Sequence, residues 1–239
     1  MSIVTTNLVK RYGKRTVVDR VNLQVNRGEI VGLLGSNGAG KTTTFSMIVG
    51  IERSDAGEIS LDGKDITYMP MYRRGQLGIA YLPQEPSIFR KLSVVENIMA
   101  VLVLRRLSAA ERQSKLAELL KEFHLEHIKD QKGYEVSGGE RRRIEIARAL
   151  ATDPAYLLLD EPFAGVDPIA VSEIQDIIKN LREKQLGILV TDHNVRETLR
   201  ITDRAYIMHA GEILVSGSAA EVAENPLARQ YYLGSAFEL

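Results

Sequence analysis

Gly35-Ser36-Asn37-Gly38-Ala39-Gly40-Lys41-Thr42-Thr43 decides the fold. It fits G-x-x-x-x-G-K-[ST], and its flanks fit as well. Glu29-Ile30-Val31-Gly32-Leu33-Leu34 reads as a buried parallel strand, and Thr43 to Val49 as a helix. A strand, a Gly-rich loop and a helix in that order make a phosphate cradle. Gly35, Gly38 and Gly40 let the backbone bend so that successive N–H groups converge on one anion. The helix start adds its dipole and unpaired N–H groups. Lys41 supplies a point charge for the β- and γ-phosphates, and Thr42 a hydroxyl for Mg²⁺. A plain helix-capping turn has no use for Lys-Thr at that place, so the chain is expected to bind a nucleoside triphosphate.

The 239 residues suffice for one large α/β domain with an inserted lobe, and 44% hydrophobic residues suffice for its core. Lys+Arg and Asp+Glu both number 31, which argues against a general nucleic-acid binder. Without cysteine, disulfides, thiol catalysis and Cys-ligated metals are excluded. His124 and His127 share a helical spacing but have no ligand set around them. The first residues have neither a basic n-region nor an apolar h-region, and no apolar run approaches the roughly 20 residues that span a bilayer. Any membrane role would come through a partner.

Residues 3–26 alternate polar and apolar and suggest antiparallel strands with one wet face. Tyr12, beside Gly13, reads equally as an adenine-stacking ring or as an ordinary turn tyrosine. Gly78 to Gln84 reads as a strand ending at Pro83, with Gln84 where strand becomes loop. From Glu85 to about Thr152 the texture is helical: Ser108-Ala109-Ala110-Glu111 is a capping box, and Leu116, Leu119, Leu120 and Phe123 form one stripe.

Ser137-Gly138-Gly139-Glu140 is a second capping box, but two glycines in a first helical turn cost stability. Glycines there let backbone N–H groups approach an anion, which suggests a second phosphate-binding surface. Arg141, Arg142 and Arg143 read as a solvated or ion-paired face. Tyr156-Leu157-Leu158-Leu159-Asp160-Glu161 is a buried strand ending in two carboxylates: Asp160 for the Mg²⁺ shell, and Glu161 to polarise the attacking water. Asp167-Pro168 opens a helix. Gly187 to Thr191 is a further buried strand, with His193 at its tip as a hydrogen-bond donor to the γ-phosphate. Ala205 to Ser216 forms a hairpin before closing helices.

In order, the phosphate loop, Gln84, Ser137-Gly138-Gly139-Glu140, Asp160-Glu161, Ala164-Gly165-Val166-Asp167 and His193 resemble the Walker A, Q-loop, signature, Walker B, D-loop and switch histidine of ABC transporter ATPases. The resemblance covers the whole chain. It implies one domain over residues 1–239: a P-loop NTPase core with an antiparallel β subdomain (1–84 and 153–239) and an inserted α-helical subdomain (85–152). Ser36, Val136 and Glu140 stand where Pro, Leu and Gln are common, and none of these departures removes a phosphate ligand or the base.

The resemblance also implies a mechanism with ATP and Mg²⁺. Two copies pair head to tail, and Ser137, Gly138 and Gly139 of one close over ATP held by Gly35 to Thr43 of the other. Gln84 contacts Mg²⁺ and the attacking water, and signals to a membrane partner. Tyr81 to Val94, Ser137 to Arg143, Asp160 to Pro168, Thr191 to Leu199, and the ending Tyr232-Leu233-Gly234 with Phe237 and Leu239 are most similar to ATPases that drive lipopolysaccharide export; Glu238 stands where Arg is expected. Such a protein sits peripherally at the cytoplasmic face of the inner membrane. It docks on two transmembrane subunits near Gln84, Phe89, Arg90 and Leu92. ATPases of branched-chain amino-acid importers share the Tyr-Leu-Gly ending and are the alternative. A soluble ABC ATPase acting on nucleic acid would favour two modules in one chain, long heptads or a basic surface, and no nucleic acid partner is expected.

Overall fold

The computed structural model describes residues 1–234 and Phe237; Glu238 and Leu239, part of the ending noted above, lie outside the described residues. The chain opens with an antiparallel pair, β1 (Ser2–Tyr12) and β2 (Arg15–Asn26), followed by β3 (Ile30–Gly35), α1 (Lys41–Val49), β4 (Ala56–Leu61), β5 (Lys64–Asp65), α2 (Met71–Gln76) and β6 (Ile79–Leu82). Residues 85–152 hold α3 (Val94–Leu102), α4 (Ala109–Glu122), a 3₁₀ turn at Glu126–Ile128 and α5 (Gly138–Leu150). Then come β7 (Tyr156–Asp160), α6 (Pro168–Glu183), β8 (Gly187–Thr191), α7 (Val195–Leu199), β9 (Arg204–His209), β10 (Glu212–Ser218), α8 (Ala219–Glu224), α9 (Pro226–Ala228) and a π-turn at Arg229–Leu233.

Two sheets result. The first is antiparallel, in the order β2-β1-β4-β5. The second runs β10-β9-β3-β8-β7-β6, parallel from β9 to β6 with β10 antiparallel at its edge. The unbroken apolar runs in β3, β7 and β8 are explained by burial on both faces, as a parallel sheet requires. Alternate residues of β7 show this: Leu158 packs with Phe45 and Ile48 of α1 and with the antiparallel sheet, whereas Leu157 and Leu159 pack with the helices of residues 85–152 and with α6. The helical region therefore shares its core with the parallel sheet, through Val94, Ile98, Leu116, Leu120, Phe123 and Ile144.

Each helix of that region starts on a Ser/Glu capping box, at Ser93/Glu96, Ser108/Glu111 and Ser137/Glu140. The C-terminal end of α1 is closed by a side chain from α2. Arg74, 2% exposed, donates to Met47 O at 2.7 Å, Ile48 O at 2.6 Å, Thr67 O at 2.9 Å and Met69 O at 2.8 Å. Carbonyls at a helix C-terminus have no partner within the helix, and a buried guanidinium satisfies several at once. Burial pulls the Arg74 pKa down to about 10. No helix among the described residues is long and apolar enough to cross a membrane.

Candidate active site

The loop between β3 and α1 is built by glycines that no other residue replaces freely. Gly40, the N-cap of α1, has φ +106°, and a Cβ there would lie 2.5 Å from Val17 O. Gly38, with φ +78°, would meet nothing within 4 Å, so that part of the loop opens outward. Lys41 is 7% exposed, and its Nζ donates to Gly35 O at 2.7 Å and Ser36 O at 3.1 Å. Burial pulls the Lys41 pKa down, while Glu161, Asp160 and Asp192 favour its charged form. Asn37, Gly38, Gly40, Lys41, Thr42, Thr43 and Glu161 line one cleft of about 140 Å³ with Val17. Ala39 is buried beneath it, and Ser36 is exposed at its edge.

The parallel strands deliver the acidic groups to the same end of the sheet, where α/β proteins bind ligands. Asp160, 3% exposed, accepts from Thr191 Oγ1 at 2.6 Å, with Tyr81 Oη 3.5 Å away. Burial pushes its carboxyl up, and Glu161 pushes it the same way. Glu161 takes a left-handed conformation, φ +47°, held by its amide donating to Thr191 O at 2.9 Å. That region costs a non-glycine residue about 1 kcal/mol or more and clusters at functional sites. The Glu161 carboxylate accepts from Gln84 Nε2 at 2.7 Å, and His193 Nδ1 lies 3.3 Å from the same Oε2. Gln84, Glu161 and His193, read separately from sequence, thus meet on one oxygen. Asp192, fully buried, accepts from Phe163 N at 3.1 Å and Asn194 N at 2.8 Å, tying the two loops together.

These residues suit a nucleotide with a divalent cation. Three carboxylates (Asp160, Glu161 and Asp192) act on the Lys41 ammonium, a local excess of negative charge that a cation would offset. The Lys41 ammonium, held only by loop carbonyls, is free to exchange them for phosphate oxygens. Thr42, Asp160 and Gln84 offer the hard oxygen donors that Mg²⁺ takes.

Other sequence candidates lie elsewhere. Tyr12 is half exposed at the end of β1, with Lys10 Nζ 5.3 Å from its ring centroid, and does not line the cleft. Ser137, Gly138 and Gly139 begin α5 and do not line it either. Ser137 Oγ accepts from Glu140 N at 3.3 Å. Gly139 also has a packing reason to be glycine, since a Cβ there would lie 2.5 Å from the Ala170 Cβ on α6. Phe89 is exposed, with the Arg148 guanidinium 4.8 Å from its ring centroid. Arg148 and Val101 line a neighbouring hollow of about 240 Å³ alongside Ser87 and Tyr81; Arg90 and Leu92 are not on its lining.

The arginine run is ion-paired, one of the two readings expected of it, but Arg142 and Arg143 are buried rather than solvated. Arg142 is 6% exposed, and it donates to Pro83 O at 2.9 Å, Asp160 O at 3.0 Å and Glu161 O at 3.2 Å, besides pairing with Glu145 at 3.2 Å. Glu145 in turn accepts from Ser87 N at 2.6 Å and Ile88 N at 3.0 Å. Arg142 and Glu145 therefore fix the backbone on both sides of Gln84 and beneath Glu161. Arg143 does pair with a carboxylate, that of Glu173 on α6, but is itself buried. The regular alternation of Arg142, Glu145 and Arg148 along one side of a helix that also buries Ile144 and Ala147 was the available signal.

Residues 18–164 match the family model described as ABC transporter. The chain is 57% identical, over the full length of both, to the "Lipopolysaccharide export system ATP-binding protein LptB" of Haemophilus influenzae. Among solved structures, the ADP-bound form of an ATP-binding cassette of an ABC transporter superposes with a TM-score of 0.88, at 28% identity over 98% of this chain and all of that one. A dimeric bacterial ABC transporter cassette superposes with a TM-score of 0.81, at 26% identity over 91% of this chain and 98% of its own.

Proposed function

The chain belongs to the ABC transporter family as an ATP-hydrolysing subunit, and from that premise we propose that it powers lipopolysaccharide export by pairing head to tail with a second copy on two transmembrane subunits. The observation that supports the pairing is the separation within one chain of the Lys41 cleft from the glycine-rich start of α5. Thr42 and Glu161 line the cleft around Lys41, and Gln84 and His193 meet the Glu161 carboxylate, but Ser137, Gly138 and Gly139 begin α5 and do not line that cleft. A second copy supplies the missing wall. The cargo follows from the full-length similarity to the Haemophilus protein.

In this reading, Lys41 and the loop amides bind the β- and γ-phosphates, and Thr42, Asp160 and Gln84 hold Mg²⁺. When bound, the metal neutralises charge on the transferring phosphoryl group. Glu161 accepts the proton of the attacking water, and Gln84 and His193 hold that carboxylate in place. Ser137, Gly138 and Gly139 close over the nucleotide of the other copy and exclude water. Tyr12 stacks on the base. Phe89, Arg90 and Leu92, with the hollow beside Arg148, receive a helix of the membrane subunit; an exposed aromatic resting on an arginine is a usual anchor for such a contact. Because Arg142 fixes both Pro83 and Glu161, a shift of the docked helix reaches the base through Gln84. Mass spectrometry of what co-purifies from mildly solubilised native membranes tests the cargo. Two transmembrane subunits with bound lipopolysaccharide are expected; importer permeases with a solute-binding protein would refute the export reading.

A further inference from the structure

We propose that Gln175 on α6 is a positioning residue for the His193 segment, and that α6 is the strut through which closure of this chain's Ser137–Gly139 surface on the partner's nucleotide reaches its own His193. The inference rests on the head-to-tail reading above. It starts from a polar side chain which that mechanism leaves unused. Gln175 is 7% exposed, on the buried side of α6 with Val171, Ile174 and Ile178. Its Nε2 donates to Glu197 O at 2.9 Å and Glu197 Oε2 at 2.8 Å. Glu197 sits in α7, the short helix immediately after His193, and its amide donates to the Asn194 cap at 3.4 Å.

The same helix is fixed to α5 at its other side. Gly139 meets Ala170 so closely that a Cβ would come within 2.5 Å, and Arg143 pairs with Glu173. One helical turn of α6, from Ala170 to Glu173, thus grips the start of the signature helix, and Gln175, two residues beyond Glu173, grips α7. A helix is stiff over such a length, so a displacement imposed at one grip arrives at the other rather than being absorbed. Without the Gln175 amide, Glu197 O loses its donor across the interface, and α7 loses its side-chain hydrogen bonds to α6.

The test uses the full chain carrying Glu161→Gln, with and without saturating Mg·ATP, and reads amide hydrogen exchange across Val195–Leu199. Closure should raise protection there by about tenfold or more in the parent, and by under about threefold once Gln175→Met is added, with dimerisation intact in both. In the Glu161 background, Gln175→Met should lower kcat by about tenfold and leave KM for ATP unchanged. Glu173→Ala, at an exposed position, severs the other grip and should reduce the protection gain in the same direction; it carries the test if Gln175→Met does not fold. A dimer whose Val195–Leu199 protection and kcat match the parent in both variants overturns the strut alone. A Glu161→Gln protein that stays monomeric in ATP overturns the head-to-tail reading, and the strut with it.

Discussion

The Gln84 amide donates to the Glu161 carboxylate at 2.7 Å, across 77 residues of sequence. A side chain in the loop after β6 and a side chain at the tip of β7 are therefore tied directly to each other. Anything that draws Gln84 away frees one Glu161 oxygen, leaving His193 Nδ1 beside it at 3.3 Å.

Replacing Gln84 with Ala should reduce kcat about 10- to 100-fold, because the base loses a positioning donor. ATP affinity, set by the phosphate loop, should change by less than about threefold. Steady-state kinetics with equilibrium nucleotide binding checks both halves. An unchanged kcat would mean that the Gln84–Glu161 bond has no part in turnover.

Arg142→Ala should destabilise the fold as well as slow hydrolysis. It leaves three carbonyls, that of Asp160 buried and those of Pro83 and Glu161 partly buried, without this donor and Glu145 without its ion-pair partner, although two amides still bond that carboxylate. A buried charge robbed of its partner costs about 3 kcal/mol or more, and for a chain of this size that corresponds to a Tm lowered by about 6 °C or more. Denaturant unfolding of the variant measures it.

These arginines show where sequence stops being informative. The phosphate loop, the capping boxes and the β7 carboxylates were legible because each is local: spacing alone puts the groups together. Arg142 was not, since three successive arginines look the same whether they face water or the carbonyls of Pro83 and Asp160. Its partners are 59 and 18 residues away, and only the stacking of α5 on the parallel sheet brings them within reach. Gly139 was read as a backbone opening for an anion; it is equally a helix crossing on Ala170, which no single-sequence pattern reveals. The convergence of Gln84, Glu161 and His193 follows from parallel strands ending at one edge, but their meeting on one oxygen did not.

Arg74 is illegible in sequence for the same reason, since its carbonyl partners on α1 lie 26 and 27 residues away. Arg74→Ala should cost about 3 kcal/mol, because four carbonyls, three of them buried and two at the end of α1, lose this donor together. Arg74→Lys should recover only part, since an ammonium cannot span the fork. Urea midpoints of the two variants distinguish these outcomes.

Acid sensitivity should trace to the capping boxes. Glu96, Glu111, Glu140 and Glu221 each accept the N–H of their own cap serine at 2.6–2.7 Å. These bonds hold all four below the ordinary value of 4.5; at Glu140 they outweigh burial, which pushes the other way. A carboxyl whose folded pKa is depressed lends stability above its unfolded pKa and loses it as pH falls through the folded one. Stability should therefore be level near neutrality and fall below about pH 4.5. Glutamine keeps the accepting oxygen without the proton, so E96Q/E111Q/E221Q should show a shallower acid decline in urea midpoint. Parallel declines would assign acid lability to other groups.

The composite site is tested most directly by the mass in solution of Glu161→Gln with and without Mg·ATP. The base is lost while the loop that binds phosphate is intact, so nucleotide should bind, stay unhydrolysed and hold two chains together. Light scattering should give the 26.6 kDa chain without nucleotide and twice that mass with it. A variant that binds ATP and remains at the mass of one chain would contradict a site completed by a second copy.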